Sequence, residues 1–188
     1  MNIRYTIQIH SYWHCGSGLA AGADVDALVI RDHDNLPFIP GKTIKGLIRE
    51  AVNEMLGFEG KEEADDAYLE LFGWENQKGD GCGHTANAFF SNATLIEAEA
   101  IKANSLQDFL YESIAQTAIN STTGTAEEHS LRKTQVVVPC YLEGYIKNVP
   151  EEMGQTVLNA LKYIKRLGVG RNRGLGRCTI NGRKEENV

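Results

Sequence analysis

Phe38-Ile39-Pro40-Gly41-Lys42-Thr43-Ile44-Lys45-Gly46-Leu47-Ile48-Arg49 is an apolar strand end that breaks at a Pro-Gly pair and runs into a helix. Ile44, Leu47, Ile48, Ala51, Val52 and Met55 recur at the i, i+3, i+4, i+7 spacing of an amphipathic helix, so they mark the side that must be buried. Lys42, Lys45 and Arg49 fall on the other side. Three cations stacked along a helix N-terminus, where free backbone N–H groups and the macrodipole already favour anions, form a seat for phosphate. Read structurally, the same stripe is a solvated charged face. The spacing predicts a helix over Thr43–Met55 with Thr43 as its cap.

Upstream, Ile3, Tyr5, Ile7 and Ile9 alternate with Arg4, Thr6, Gln8 and His10, the pattern of a half-buried strand. A glycine- and alanine-rich loop from Trp13 to Ala23 leads to Asp24-Val25-Asp26 and the apolar run Ala27-Leu28-Val29-Ile30. Two short strands are expected to meet at the turn Arg31-Asp32-His33-Asp34-Asn35. Gly41-Lys42-Thr43 has the look of the end of a nucleotide-binding P-loop. That loop needs a second glycine five residues earlier to wrap the phosphates, and Leu36 stands there, followed by the stiff Pro37 and Pro40. An ATPase is therefore excluded.

Downstream, an acidic, helix-permissive segment runs from Gly57 to Glu70, followed by a polar, glycine-rich loop from Asn76 to Ala86. Phe89-Phe90 and Ala93–Ile96 read as strand, Ser105–Ala118 as a short helix, and Asn120–His129 as a polar, threonine-rich protrusion. Val136–Val138 and Tyr141–Ile146 read as strands. Val157, Leu158, Leu161, Ile164 and Leu167 mark a second amphipathic helix. Gly168-Val169-Gly170-Arg171-Asn172-Arg173-Gly174-Leu175-Gly176-Arg177 then precedes a last strand, Cys178-Thr179-Ile180. This order predicts an α+β protein, a single domain over residues 1–188 with a ferredoxin-like, RRM-like core. Insertions are expected near 57–87 (helix and loop) and near 120–138 (a protruding hairpin).

The composition agrees with that scale. A chain of 188 residues, 42% hydrophobic and 8% aromatic, supports one proper core. No run approaches the length needed to span a bilayer, and the N-terminus lacks a signal peptide's apolar centre, so a cytoplasmic protein without membrane contact is expected. Four scattered cysteines without a CxxC pair argue against both a disulfide framework and a zinc ribbon. His14-Cys15 and Cys82-Gly83-His84 are the only local hints of a structural zinc. A net charge of −6 argues against a nucleic-acid binder, but the average hides an asymmetry. Acid gathers between Glu59 and Glu70, while Arg166, Arg171, Arg173, Arg177, Arg183 and Lys184 crowd the C-terminal end. A local basic surface decides binding, whatever the sign of the whole.

Three separated segments resemble one family. The Pro40–Arg49 element resembles the Pro-Gly-x-x-Leu-Lys-Gly-x-x-Arg element of the CRISPR-associated repeat-associated mysterious protein (RAMP) superfamily. Gly168–Arg177 resembles its C-terminal glycine-rich loop, and Asp26–Asp32 is similar to the region preceding the Pro-Gly helix in small backbone subunits of type III interference complexes. The resemblance implies a subunit that binds CRISPR RNA and polymerises along it with copies of itself and other effector subunits. It implies, further, that an acidic residue at Asp26 cuts the paired target RNA with the aid of a divalent metal, Mg²⁺ or Mn²⁺. Asn120–Val138 resembles the family's thumb, with Arg132 where the family keeps a basic residue and Ser121 where it keeps another.

The chemistry has its own logic. Cleaving RNA by its 2′-hydroxyl needs alignment, a proton acceptor and neutralisation of the developing phosphorane charge, and a carboxylate that binds a metal ion serves the last. Asp26, or Asp24 two residues away, suits that role; both also simply favour a loop. In the glycine loop, Gly170 and Gly174 allow close backbone approach, and Arg171, Asn172 and Arg173 offer phosphate contacts. The structural alternative is a tight helix-to-strand turn. A dinucleotide site is excluded because its fingerprint opens a helix after a strand, the reverse of the order here. Two rival functions remain: a non-catalytic RNA-binding scaffold, and a metal-independent guide-processing endoribonuclease using His10, His14 or His129 as acid or base.

Overall fold

The computed structural model describes residues 1–20, 25–57, 66–75 and 83–185. Asp24, Cys82 and the acidic run 58–65 fall outside the described residues.

Strand β1 (Asn2–Ile9) lies at the centre of the main sheet and buries Ile3, Tyr5, Ile7 and Ile9 on one face, as its alternation requires. Helix α1 (Gly41–Leu56) follows a long excursion and buries Ile44, Ile48, Ala51 and Val52. Next come α2 (Asp66–Phe72), the two-residue strands β2 (Trp74–Glu75) and β3 (Gly83–His84) paired with each other, then β4 (Phe89–Phe90) and β5 (Thr94–Leu95). Helix α3 (Glu97–Ser105) leads to a hairpin of β6 (Tyr111–Gln116) and β7 (Arg132–Val137). The chain closes with β8 (Tyr141–Lys147), α4 (Gly154–Tyr163) and β9 (Cys178–Glu185).

The main sheet is antiparallel in the order β4-β8-β1-β9, with β5 also on β8. Phe89 pairs with Lys147 and Thr94 with Glu143, so β4 and β5 are two halves of one interrupted edge strand. Treated as one strand, they complete a β1-α1-β-β8-α4-β9 path in which each βαβ half is split by a strand of the other, the ferredoxin-like arrangement. The two helices pack against each other on one face of the sheet. Leu158 and Leu161 of α4 press so closely on β9 that a Cβ at Gly182 would meet them within 3.0 Å.

The helix over the Pro-Gly pair starts earlier than expected, and Thr43 does not cap it: no side chain of the N-cap residue, Pro40, does so either. Asn92, in the break between β4 and β5, supplies the missing acceptor, its Oδ1 taking the Gly41 N–H at 2.9 Å. A cap from a distant segment leaves no local signature. Gly41 is required there for space, since a Cβ would lie 2.1 Å from the Phe90 carbonyl oxygen.

The short helix expected over Ser105–Ala118 is a helix end and a strand. Tyr111–Gln116 pairs residue by residue with Arg132–Val137, from Tyr111 opposite Val137 to Gln116 opposite Arg132. A ladder closed by a partner well downstream overrides the local preference. The hairpin therefore begins at Tyr111, and the stretch 120–138 is its tip and returning strand. The two strands expected around Arg31–Asn35 reduce to a single bridge between Arg31 and Pro37.

The base of the hairpin is fastened to the excursion after β1. Trp13, fully buried, exchanges backbone hydrogen bonds with Val137, and Ala27 bridges to Thr134.

Candidate nucleic-acid interface

The loop between α4 and β9 folds back against the segment after β1 and reaches α1 through Arg171 and Glu50. Gly168 makes this approach possible: its φ is +76°, and a Cβ would sit 2.4 Å from the carbonyl oxygen of His14. That closeness lets the Val169 N–H donate to the same oxygen at 2.9 Å. Gly170 (φ +77°) and Gly174 (φ +86°) bracket one 3-10 turn, Arg171–Arg173, and push its side chains outward.

The outcome is a cleft of about 710 Å³ between α1 and the loop, lined by Lys42, Arg49 and Arg171 together with His14, Glu50 and Gly168. Two basic segments more than a hundred residues apart in sequence thus form its two walls. Arg171 Nη1 lies 3.3 Å from Glu50 Oε2, and both side chains are about half exposed, so the pair closes the cleft loosely. Arg166 Nη1 donates to the Arg171 carbonyl at 3.1 Å and steadies the turn.

Not every expected cation enters the cleft. Lys45, on the same helix, does not line it: its ammonium lies 6.0 Å from the Phe90 ring centroid on the edge strand. Burial, and then the charge of Arg49, lower its pKa. Residues 42 and 49 are two turns apart and share a face, whereas residue 45 is displaced around the helix. Arg173 turns the other way and donates from Nη1 to Gln116 Oε1 on β6 at 3.2 Å. Gln116 pairs with Arg132, which is exposed on β7. Asn172 is exposed at the crest of the turn.

Asp26 also lies outside the cleft lining. It is exposed and held against the hairpin, its N–H donating to the Lys133 carbonyl (2.9 Å) and its Oδ2 accepting the Lys133 N–H (2.7 Å). Its other carboxylate oxygen has no hydrogen-bond partner among the described residues. Arg173, Gln116 and Arg132 thus link the glycine-rich loop to the hairpin, where Lys133 holds Asp26.

Gln135 on β7 is a residue that sequence reasoning missed. Its N–H donates to the Ala27 carbonyl (3.0 Å), its Oε1 accepts the Val29 N–H (3.2 Å), and its carbonyl accepts from His14 Nδ1 (2.6 Å). It joins the Asp26 arm, the hairpin and the cleft floor. A glutamine in an alternating strand carries no signal of that role.

The three histidines lie in separate places. His10 is exposed and contacts Thr179 Oγ1 at 2.9 Å, His129 is exposed near the hairpin tip, and only His14 reaches the cleft. Burial pushes the Cys15 thiol up to about 12. The zinc pairing falls partly on Cys82, outside the described residues. Among the described residues the one close group of potential ligands is Asp32, His33 and Asp34, within the exposed turn. No helix among the described residues is long and apolar enough to cross a membrane.

An antiparallel ferredoxin-like sheet with a glycine-rich loop reaching a Pro-Gly helix defines a class of protein, and comparison supplies its family. The family model of the RAMP superfamily matches residues 6–179, and the chain belongs to that superfamily. Its fold resembles a chain of a cryo-EM structure described as the Type III-B Cmr-beta bound to cognate target RNA, with a TM-score of 0.69 at 9% identity, covering 97% of both chains. A chain of the Type III-B Cmr-beta in the apo state is similar with a TM-score of 0.70 at 11% identity, over 98% of both chains. At those identities the likeness concerns the fold. A search of curated proteins found no significant match.

Proposed function

We propose that this protein is a CRISPR RNA-binding backbone subunit of a type III effector complex, acting in the cytoplasm, and that it cuts target RNA paired to the guide. The observation that carries the reading is the closure of Lys42, Arg49 and Arg171 into one cleft. Such a cleft suits a polyanion, and a ribose-phosphate chain presents its charges at intervals that separated cations can meet. Asp26, fixed through Lys133 to β7 of the hairpin, stands outside that cleft and is left for the paired target strand. The family membership and the fold shared with chains of Cmr-beta complexes, one of them described as bound to cognate target RNA, point the same way. Copies of this chain and other effector subunits are the expected protein partners.

In this reading Lys42, Arg49 and Arg171 hold guide phosphates, and Gly170, Asn172 and Gly174 let the backbone approach the strand. Lys45 adds charge from the edge-strand side. Arg132 and Arg173, joined through Gln116, carry the positive surface from the glycine-rich loop to the hairpin. Asp26 would hold the divalent ion: one oxygen is occupied by Lys133, the other has no partner among the described residues, and a single carboxylate suits Mg²⁺, which keeps most of its waters. When bound, the ion supplies positive charge against the phosphorane that develops as the 2′-oxygen attacks. The hydrogen bond from Lys133 orients the carboxylate, and the hairpin keeps the target phosphate in reach of it.

The test uses the purified chain, a CRISPR RNA and a complementary labelled RNA with Mg²⁺ or Mn²⁺. Cutting at regular intervals is expected for the native chain. Asp26→Asn should abolish cutting and leave guide binding unchanged; persistent cutting would remove Asp26 from the mechanism. A native chain that binds guide and never cuts is a scaffold.

A further inference from the structure

His14 sits at the floor of the cleft and is 3% exposed. Its Nδ1 faces the Gln135 carbonyl at 2.6 Å, and a carbonyl can only accept, so Nδ1 carries the proton. In the neutral ring the opposite nitrogen, Nε2, is then an acceptor. It has no hydrogen-bond partner among the described residues. The ring lines the cleft and Nε2 is not among the fully enclosed unpaired atoms, so this acceptor is within reach of a ligand's donor.

Gly16 keeps that nitrogen accessible. A Cβ at position 16 would stand 3.1 Å from Nε2 and cover it. Gly16 is not among the glycines with positive φ, so its backbone does not demand glycine, whereas access to Nε2 does.

The cleft's other walls present Lys42, Arg49 and Arg171, all donors suited to phosphate. A ligand that meets three cations and one buried acceptor carries anionic groups with a neutral hydroxyl beside them. A ribonucleotide chain has that chemistry, and a deoxyribonucleotide chain lacks the hydroxyl. Resting on the RNA-binding reading above, we infer that His14 Nε2 accepts the 2′-hydroxyl of a bound ribonucleotide and is the residue by which the cleft prefers RNA to DNA. Gly16 and Gln135 are positioning residues, the first by leaving space and the second by fixing the tautomer.

The experiment compares a labelled single-stranded RNA with the DNA of the same sequence by fluorescence anisotropy at fixed salt, on the full chain. The native protein should bind the RNA about five- to ten-fold more tightly at each engaged hydroxyl. Gly16→Ala, which leaves the histidine in place and covers Nε2, should bring RNA down towards DNA while DNA affinity and salt dependence stay as they were. His14→Gln offers a side-chain acceptor and should retain part of the preference; His14→Phe should lose it, with circular dichroism confirming the fold of each. Equal binding of RNA and DNA by the native chain, or an unchanged preference in Gly16→Ala, overturns this inference alone. Failure to bind either nucleic acid overturns the RNA-binding reading as well.

Discussion

Arg171→Ala isolates one wall of the cleft. Arg171 contributes one of the three cations that line it, and its one ion pair among the described residues is the half-exposed contact with Glu50, worth about 1 kcal/mol or less. The variant should therefore fold normally and lose binding through charge. For single strands each phosphate contact contributes roughly −0.7 to the slope of log affinity against log salt. Lys42, Arg49 and Arg171 together account for a slope of about −2.1, and removal of Arg171 takes the cleft's share to about −1.4. Between about 50 and 200 mM salt the cleft's contribution to affinity should then fall roughly seven-fold in the variant, against roughly eighteen-fold in the native chain. Anisotropy titrations at four salt concentrations measure this directly. Lys184→Ala is the control: Lys184 lies on β9 near Glu151, away from the cleft. A slope unchanged by Arg171→Ala, or changed as much by Lys184→Ala, would show that RNA does not lie against the glycine loop.

Other outcomes bear on the fold. Gly41→Ala forces a Cβ against the Phe90 carbonyl and displaces the Asn92 cap, so stability should fall by about 1–3 kcal/mol in urea denaturation. Gly46→Ala, with nothing within 4 Å of the added carbon, should gain about 0.5–1 kcal/mol from helix propensity; equal effects at the two positions would contradict the close packing of the helix start. Burial raises the thiols of Cys15 and Cys140 to about 12 and that of Cys178 to about 11, from an ordinary value of 9.0. Below about pH 9 folded and unfolded thiols are both protonated and stability does not depend on them. Above it only the unfolded thiols ionise, so stability should drop by up to ~1.4 kcal/mol per thiol per pH unit. Urea midpoints measured from pH 8 to 10 should show this loss, and Cys15→Ala should reduce it; a flat profile would mean the thiols are not buried.

Much of the architecture was legible because it is periodic. The alternation of Ile3, Tyr5, Ile7 and Ile9 marked the central strand, and the spacing from Ile44 to Val52 marked α1, because each pattern records which side of a local element meets the core; Met55, expected on the same buried side, is exposed at the helix end. The order of those elements was enough for the ferredoxin-like path. Illegible were the features that depend on a distant partner. Tyr111–Gln116 is a strand only because Arg132–Val137 comes back beside it, and the start of α1 is capped by Asn92, 51 residues on.

The candidate site divides along the same line. Its basic residues were visible as residue types near two glycine-bearing joints, but not which of them face each other. The helix stripe read as three cations on one side splits in space, with Lys42 and Arg49 in the cleft and Lys45 against Phe90. Gln135, which ties His14 to the Asp26 arm, had no sequence signal.

By itself the sequence determined the kinds of element, their order, the faces to be buried and the supply of cations, since all of these follow from neighbours a few bonds apart along the chain. Tertiary structure alone decided that the loop after α4 reaches α1, that Arg173 points to the hairpin instead of the cleft, and that a buried histidine keeps one nitrogen open at its floor. Those facts are set by strand register and by helix packing on one sheet face, which depend on contacts between residues far apart in sequence.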